Sequence, residues 1–235
     1  MDITQLLTLQ ITAHLLTDFT FQPDKNAREK NNNGFRSKFL KWHILITFAI
    51  SWLLSFQLKF VLASIVIAIL HWIVDGLKKH IQNNKIIGKY AFFIDQFLHL
   101  FFITLIVWLF SLIFELNPVF SISFNTKYLL VIASIVLCTK PSNIIVKEIF
   151  NVFEIYINGK DDLPNAGKLI GIVERMLVLA FIIINQFQAV GFLIAAKSIL
   201  RFKNDETIKT EYVLIGTMLS FGIAIGAGTI ACFIK

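Results

Sequence analysis

The stretch FVLASIVIAILHWIVDGLKK, residues 60–79, decides the fold class. It is apolar apart from Ser64, His71 and Asp75, and it stops at Lys78 and Lys79, as a helix does on leaving hydrocarbon for a charged membrane surface. Similar runs recur on both sides of it. About 20 apolar residues span a bilayer, and shorter runs do so inside a bundle. Eight segments qualify, roughly 3–22, 42–58, 60–77, 91–115, 127–140, 168–187, 188–202 and 211–234. The sixth and seventh can also form one element broken near Asn185 to Gly191, so the range is six to eight. The expectation is an all-α polytopic transmembrane helical bundle. A four-helix unit over 1–115 would carry a second helical unit, 116–235, packed on it as one structural domain.

Composition agrees. Hydrophobic residues make up 56% of the chain and charged residues 16%, and mean hydropathy is +0.72. Soluble domains carry about a quarter charged residues. MDITQLLTLQITAHLL lacks the basic start and small-residue cleavage site of a secretory signal, so it reads as a retained first helix. Cys138 and Cys232 stand alone in apolar surroundings and read as buried thiols.

The net charge of +7 does not indicate nucleic acid, because Lys and Arg collect in the loops between apolar segments. Positive loops stay on the cytoplasmic side. Lys25, Arg28, Lys30, Arg36, Lys38 and Lys41 follow the first segment, and Lys78, Lys79, Lys85 and Lys89 follow the third. Lys140, Lys147, Lys160 and Lys168 follow the fifth, and Lys197, Arg201, Lys203 and Lys209 border the seventh. The opposite side receives only Lys59, Lys127 and Lys235, which places both termini outside. Residues 141–166 break the pattern: Ile145, Ile149, Phe150 and Phe153 suggest an interfacial helix, and GKDDLPN (159–165) a turn.

Three pairs carry the chemistry: His14 with Asp18, His71 with Asp75, and Asp95 with His99. A separation of four residues puts both side chains on one helix face. His43 adds an imidazole at the start of the second segment. With alternating helix directions all seven side chains fall at cytoplasmic ends, where a bundle would gather them. Imidazole and carboxylate are ligands for a divalent transition metal, with zinc the first choice, and seven candidates leave room for two ions. A bound metal with an open position activates water, and Asp18, Asp75 or Asp95 would serve as ligand or general base. A structural polar network and a proton or ion pathway are the competing readings. Gln22, Gln96 and Lys78 are candidates for substrate contact, against ordinary interfacial bonding or snorkelling. His80 reads as solvated.

AHLLTDFTFQ (13–22), His43, HWIVDGLK (71–78) and DQFLH (95–99) resemble the motif series of a bacterial integral membrane family catalogued as domain of unknown function 3307. The likeness covers roughly 1–115 and implies a location in the bacterial inner membrane, with no activity attached to it. GKLIGIVERMLVL (167–179), AAKSILRF (195–202) and EYVLIGTMLSF (211–221) resemble the C-terminal portion of longer members. There Glu174, Arg175, Lys197 and Arg201 could grip an anionic substrate group, with intramembrane ion pairing such as Glu174 to Lys197 or Arg201 as the competing role. Gly167 and Gly171, then Gly222 and Gly226, have the spacing of close helix packing.

The leading expectation is therefore a multi-pass hydrolase acting on a lipid or other amphipathic substrate, its metal site toward the cytoplasm. Membrane lipid is the expected surrounding partner, and the oligomeric state is left open. The alternatives are a metal-ion or proton-coupled transporter, and a non-enzymatic subunit recruiting a cytoplasmic partner through the basic loop 23–41.

Overall fold

The computed structural model describes residues 1–119, 125–156, 166–201 and 207–234, with the side chains of 200, 201 and 207–210 excepted. Among them there is no strand. The helices are α1 (Ile3–Leu15), α2 (Asp24–Asn33), α3 (Lys38–Ser55), α4 (Val61–Gln82), α5 (Ala91–Ile113), α6 (Thr126–Cys138), α7 (Lys140–Val152), α8 (Ala166–Ile183), α9 (Phe187–Arg201) and α10 (Thr207–Phe233). Contacts divide the chain into two units, Met1–Leu129 and Leu130–Lys235.

In the first unit α1, α3, α4 and α5 alternate in direction. Asp2 opens α1 with a capping box closed by Gln5, and Ser37 caps α3 by accepting from the Leu40 N–H at 3.0 Å. One end of the unit is an apolar core of Leu6, Phe60, Ile67, Ile103, Val107 and Phe110. The other end gathers His14, His43, His71 and His99, all buried. Those histidines lie late in α1 and α4 and early in α3 and α5, as alternating directions require.

Helix α3 is inverted relative to a helix of a water-soluble protein. His43, Thr47, Ser51 and Ser55, each four residues on from the last, form its buried stripe, while Trp42, Leu45 and Leu53 point outward. The stripe is satisfied internally: Ser51 Oγ donates to Gln10 Oε1 at 2.6 Å, and Gln10 Nε2 donates to the Ser51 carbonyl at 2.9 Å.

Among the described residues three helical segments are long and apolar enough to cross a membrane: Leu58–Gln82, Gly88–Ile113 and Glu211–Phe233. A bent pair, α6 with α7, adds a fourth if its 52° break lies within one span. That is fewer than the eight segments expected. Polar residues explain part of the shortfall, because α1 and α3 spend their inner faces on Thr, Ser, Gln and His. Helix α6 has only 13 residues and α9 only 15, and α8 contains Lys168, Glu174 and Arg175.

Between α1 and α3 the chain departs from a plain loop. A π-helical turn, Leu16–Thr20, closes with the Phe21 N–H donating to the Leu16 carbonyl at 2.8 Å. Helix α2 and a 3₁₀ turn, Gly34–Arg36, then fold back over α4. Gly34 has φ +54°, and a Cβ there would come within 2.9 Å of the Gly76 carbonyl oxygen. A Cβ on Gly76 would lie 2.1 Å from Cε1 of Phe35, whose ring also packs edge-on against Trp72 at 5.0 Å. Glu29 accepts from the Ser37 hydroxyl, and this hydrogen bond holds its carboxyl below the ordinary range.

In the second unit α8 and α10 pack through Val178, Leu179, Ile182, Phe221 and Ala224, with buried Cys138 and Val190. Both cysteines are free, and Cys232 is half-buried. Helix α7 spans the segment expected at the interface, and GKDDLPN lies outside the described residues. The break between α8 and α9 falls at 184–186, with Asn185 at φ +58°, so the sixth and seventh segments are separate helices. The expected glycine pairs do not mediate close packing. Added Cβ atoms on Gly167, Gly222 and Gly226 meet nothing within 4 Å, and one on Gly171 meets the guanidinium of Arg175. The close approach falls instead on Gly228, where a Cβ would lie 3.0 Å from Ile182.

Candidate metal centre

Each helix of the first unit delivers its residues by simple periodicity: His71 and Asp75 on α4, Asp95 and His99 on α5, His43 on the buried stripe of α3. His14 ends α1, and the π turn carries Asp18. All seven side chains are buried and come together. The His71 and His99 rings stack with centroids 3.9 Å apart, and His43 and His14 lie 5.0 Å and 5.7 Å from His71.

Four atoms form a compact group. His43 Nε2 and His71 Nε2 are 3.0 Å apart. Asp18 Oδ1 is 3.3 Å and 3.2 Å from them, and Asp75 Oδ2 is 3.4 Å and 3.3 Å. A tetrahedral zinc with bonds of about 2.0 Å sets its ligand atoms about 3.3 Å apart, so His43, His71 and Asp75 match three such ligands, while Asp18 joins His14 and His71 in an adjoining group. Asp75 Oδ1, Asp95 Oδ1 and His99 Nε2 form a second, looser group, with His99 Nε2 at 3.8 Å and 3.6 Å from the two carboxylates. Asp75 thus presents one oxygen to each group.

The hydrogen bonding also suits a cation. Gln96 donates to Asp95 Oδ2 at 3.2 Å and to Asp18 Oδ2 at 3.4 Å. Its amide oxygen is thereby left to accept from His14 Nε2 at 3.2 Å. In a neutral ring His14 Nδ1 then turns a lone pair toward Asp18 Oδ1, 3.6 Å away. A lone pair facing a carboxylate repels it unless a cation lies between them. His14 Nδ1, Asp18 Oδ1, Asp95 Oδ1 and His99 Nε2 make no hydrogen bond of good geometry among the described residues, although each lies 3.2–3.8 Å from a group of the cluster. Buried polar atoms so poorly satisfied are costly in a protein interior.

Two ammonium groups enter the cluster. Lys78 Nζ lies 2.8 Å from Asp95 Oδ2. Lys30 Nζ lies 2.9 Å and 2.8 Å from the two oxygens of Asp75 and is 2% exposed. Sequence reasoning placed Lys30 in a basic cytoplasmic loop and missed it. The available signal was weak: α2 is polar throughout, and nothing in its pattern marks one lysine for burial.

Of the other candidates, Gln22 is buried near the end of the π turn, and His80 is exposed. In the second unit Lys197 pairs with Glu174 at 2.5 Å. Arg175 is 1% exposed and donates to the Cys138 carbonyl at 2.7 Å, the Thr139 carbonyl at 3.2 Å, Asn143 Oδ1 at 2.8 Å and Ser220 Oγ at 2.7 Å. Its donors are spent on holding the end of α6 where the chain turns into α7. Arg201 ends α9, and its side chain lies outside the described residues.

The profile of a family described as protein of unknown function (DUF3307) matches residues 6–131. The chain belongs to this family. The DUF3307 region contains α1 to α5 almost whole, and with them the seven His and Asp side chains, Lys30, Lys78 and Gln96. No curated protein and no solved structure matches the chain.

Proposed function

We propose that the chain is a membrane-embedded, metal-dependent hydrolase whose centre opens to the cytoplasm and acts on a lipid or other amphipathic substrate. The observation that carries the reading is the burial of four histidines and three aspartates in overlapping metal-capable groups, with His43 Nε2 and His71 Nε2 each 3.2–3.4 Å from a carboxylate oxygen of Asp18 and of Asp75. Zinc suits two imidazoles and two carboxylates. When bound, such an ion supplies Lewis acidity and an activated water at neutral pH. Asp95 is positioned as general base: Lys78 and Gln96 hold its Oδ2, which leaves Oδ1 to accept a proton beside His99. The looser group of Asp75, Asp95 and His99 offers room for a second ion, in which case Asp95 becomes a ligand. The positive loops after α1 and α4 support the cytoplasmic orientation.

A transporter reading has one observation in its favour. The polar stripe of α3 runs from the centre toward the opposite end, and a small cavity lined by Gln10, His14, Thr47, Ser51 and His71 adjoins it.

Metal analysis of detergent-purified protein tests the proposal, with His71→Ala and Asp95→Ala beside the parent. The parent is expected to retain about one zinc per chain, and His71→Ala to lose it. No metal after purification without chelators, with both variants indistinguishable from the parent, would sink the metal reading. Lipid turnover against ion uptake in proteoliposomes separates the hydrolase from the transporter.

A further inference from the structure

Lys30 and Lys78 enter the centre from different elements. Lys30 comes from the polar helix α2 and Lys78 from the end of α4, and both are at least nine-tenths buried. Each ammonium sits on a carboxylate that also belongs to one of the metal-capable groups, Lys30 on Asp75 and Lys78 on Asp95. Helices without a charge to answer do not bury lysines, because the desolvation cost is several kcal/mol per ion.

Charge narrows what the loaded centre can bind. Three carboxylates face two ammonium groups, so with neutral imidazoles the cluster carries one negative charge. One divalent ion reverses that to one positive charge, and two ions raise it to three. The carboxylates then share their charge with metal, and the ammonium groups lose the partners that compensated them. A buried positive excess requires an anion. A hydroxide removes one charge, which would neutralise a one-ion centre and leave two positive charges on a two-ion centre. An uncharged ester or amide removes none.

We infer that the ligand of this centre is a phosphate ester whose anionic oxygens are taken by the ammonium groups of Lys30 and Lys78. The inference rests on the metal reading above. A phosphate presents several oxygens in different directions, which suits two ammonium groups reaching in from separate helices, and lysine acts on it as a point charge without a fixed fork geometry. Gln96, already donating to two of the carboxylates, holds Asp18 and Asp95 in place while the lysines turn to the ligand.

The test uses the full chain in detergent, with and without added zinc, titrated calorimetrically with inorganic phosphate. Zinc content is measured on the same samples. The zinc-loaded parent is expected to bind phosphate at least tenfold more tightly than the metal-free protein. Lys78→Met is expected to lose that gain while keeping zinc, Lys78→Arg to keep most of it, and Lys30→Met to behave like Lys78→Met. Competition by phosphatidic acid vesicles, but not by glycerol phosphate or phosphatidylcholine vesicles, would assign the phosphate to a lipid head group. Competition by glycerol phosphate as well would assign it to a soluble ester. Zinc bound with equal phosphate affinity in the parent and both Met variants overturns the inference and leaves the metal reading standing. Failure of the parent to bind zinc overturns both.

Discussion

Lys30 is the residue on which the metal-free centre depends most directly. Its ammonium is bidentate on Asp75, and both groups are excluded from solvent. Removing one partner of a buried pair strands the other charge, at a cost of about 3–5 kcal/mol. Lys30→Met is therefore expected to lower the thermal unfolding midpoint of metal-free protein sharply, and zinc should recover most of the loss, since a cation then answers Asp75. A midpoint unchanged without metal would show that the pair contributes nothing. The His and Asp spacings were legible in the sequence because four-residue separation on a helix is a local property. Lys30 was not legible, since its burial follows from where α2 docks. The capping role of Arg175 is not legible for the same reason: the carbonyls it caps lie 36 and 37 residues away in the chain.

Helix α2 and the turn after it form the element that covers the centre. Its seat depends on Gly34 at a positive φ and on Gly76, whose missing side chain admits the ring of Phe35. Gly76→Ala would force that ring aside. The expected cost is about 1–3 kcal/mol, the usual range for overpacking. The loosened segment should also show faster proteolysis at the lysines of α2, with the rest of the chain intact. Equal cleavage rates in parent and variant would mean that Phe35 does not hold the element down. The elements themselves were legible where hydrophobic length alone defines them, as in α4 and α5. They were less so where polar side chains fill an inner face, as in α1 and α3, because a buried hydroxyl and an exposed one look alike in a list of residues.

For the whole molecule the proposed membrane arrangement fixes an orientation. Single cysteines placed at exposed Lys85 and Lys59, in a chain lacking Cys138 and Cys232, should react with a membrane-impermeant maleimide from opposite sides of sealed vesicles, with Lys85→Cys reacting from the cytoplasmic side. Labelling of both from one side would overturn the proposed topology. The alternation of the four helices of the first unit was legible, because loop charge and residue depth repeat along the chain. The number of membrane-crossing helices was not, since short helices such as α6 and α9 reach that length only in partnership or not at all. The same alternation bears on biogenesis. The centre draws its first residues from α1 and its last from α5, so His14 and Asp18 emerge from the ribosome long before Asp95 and His99 exist to complete their surroundings. At about 5–20 residues per second that interval is on the order of several seconds. During it the nascent chain holds polar groups whose partners on α5 have not yet been made.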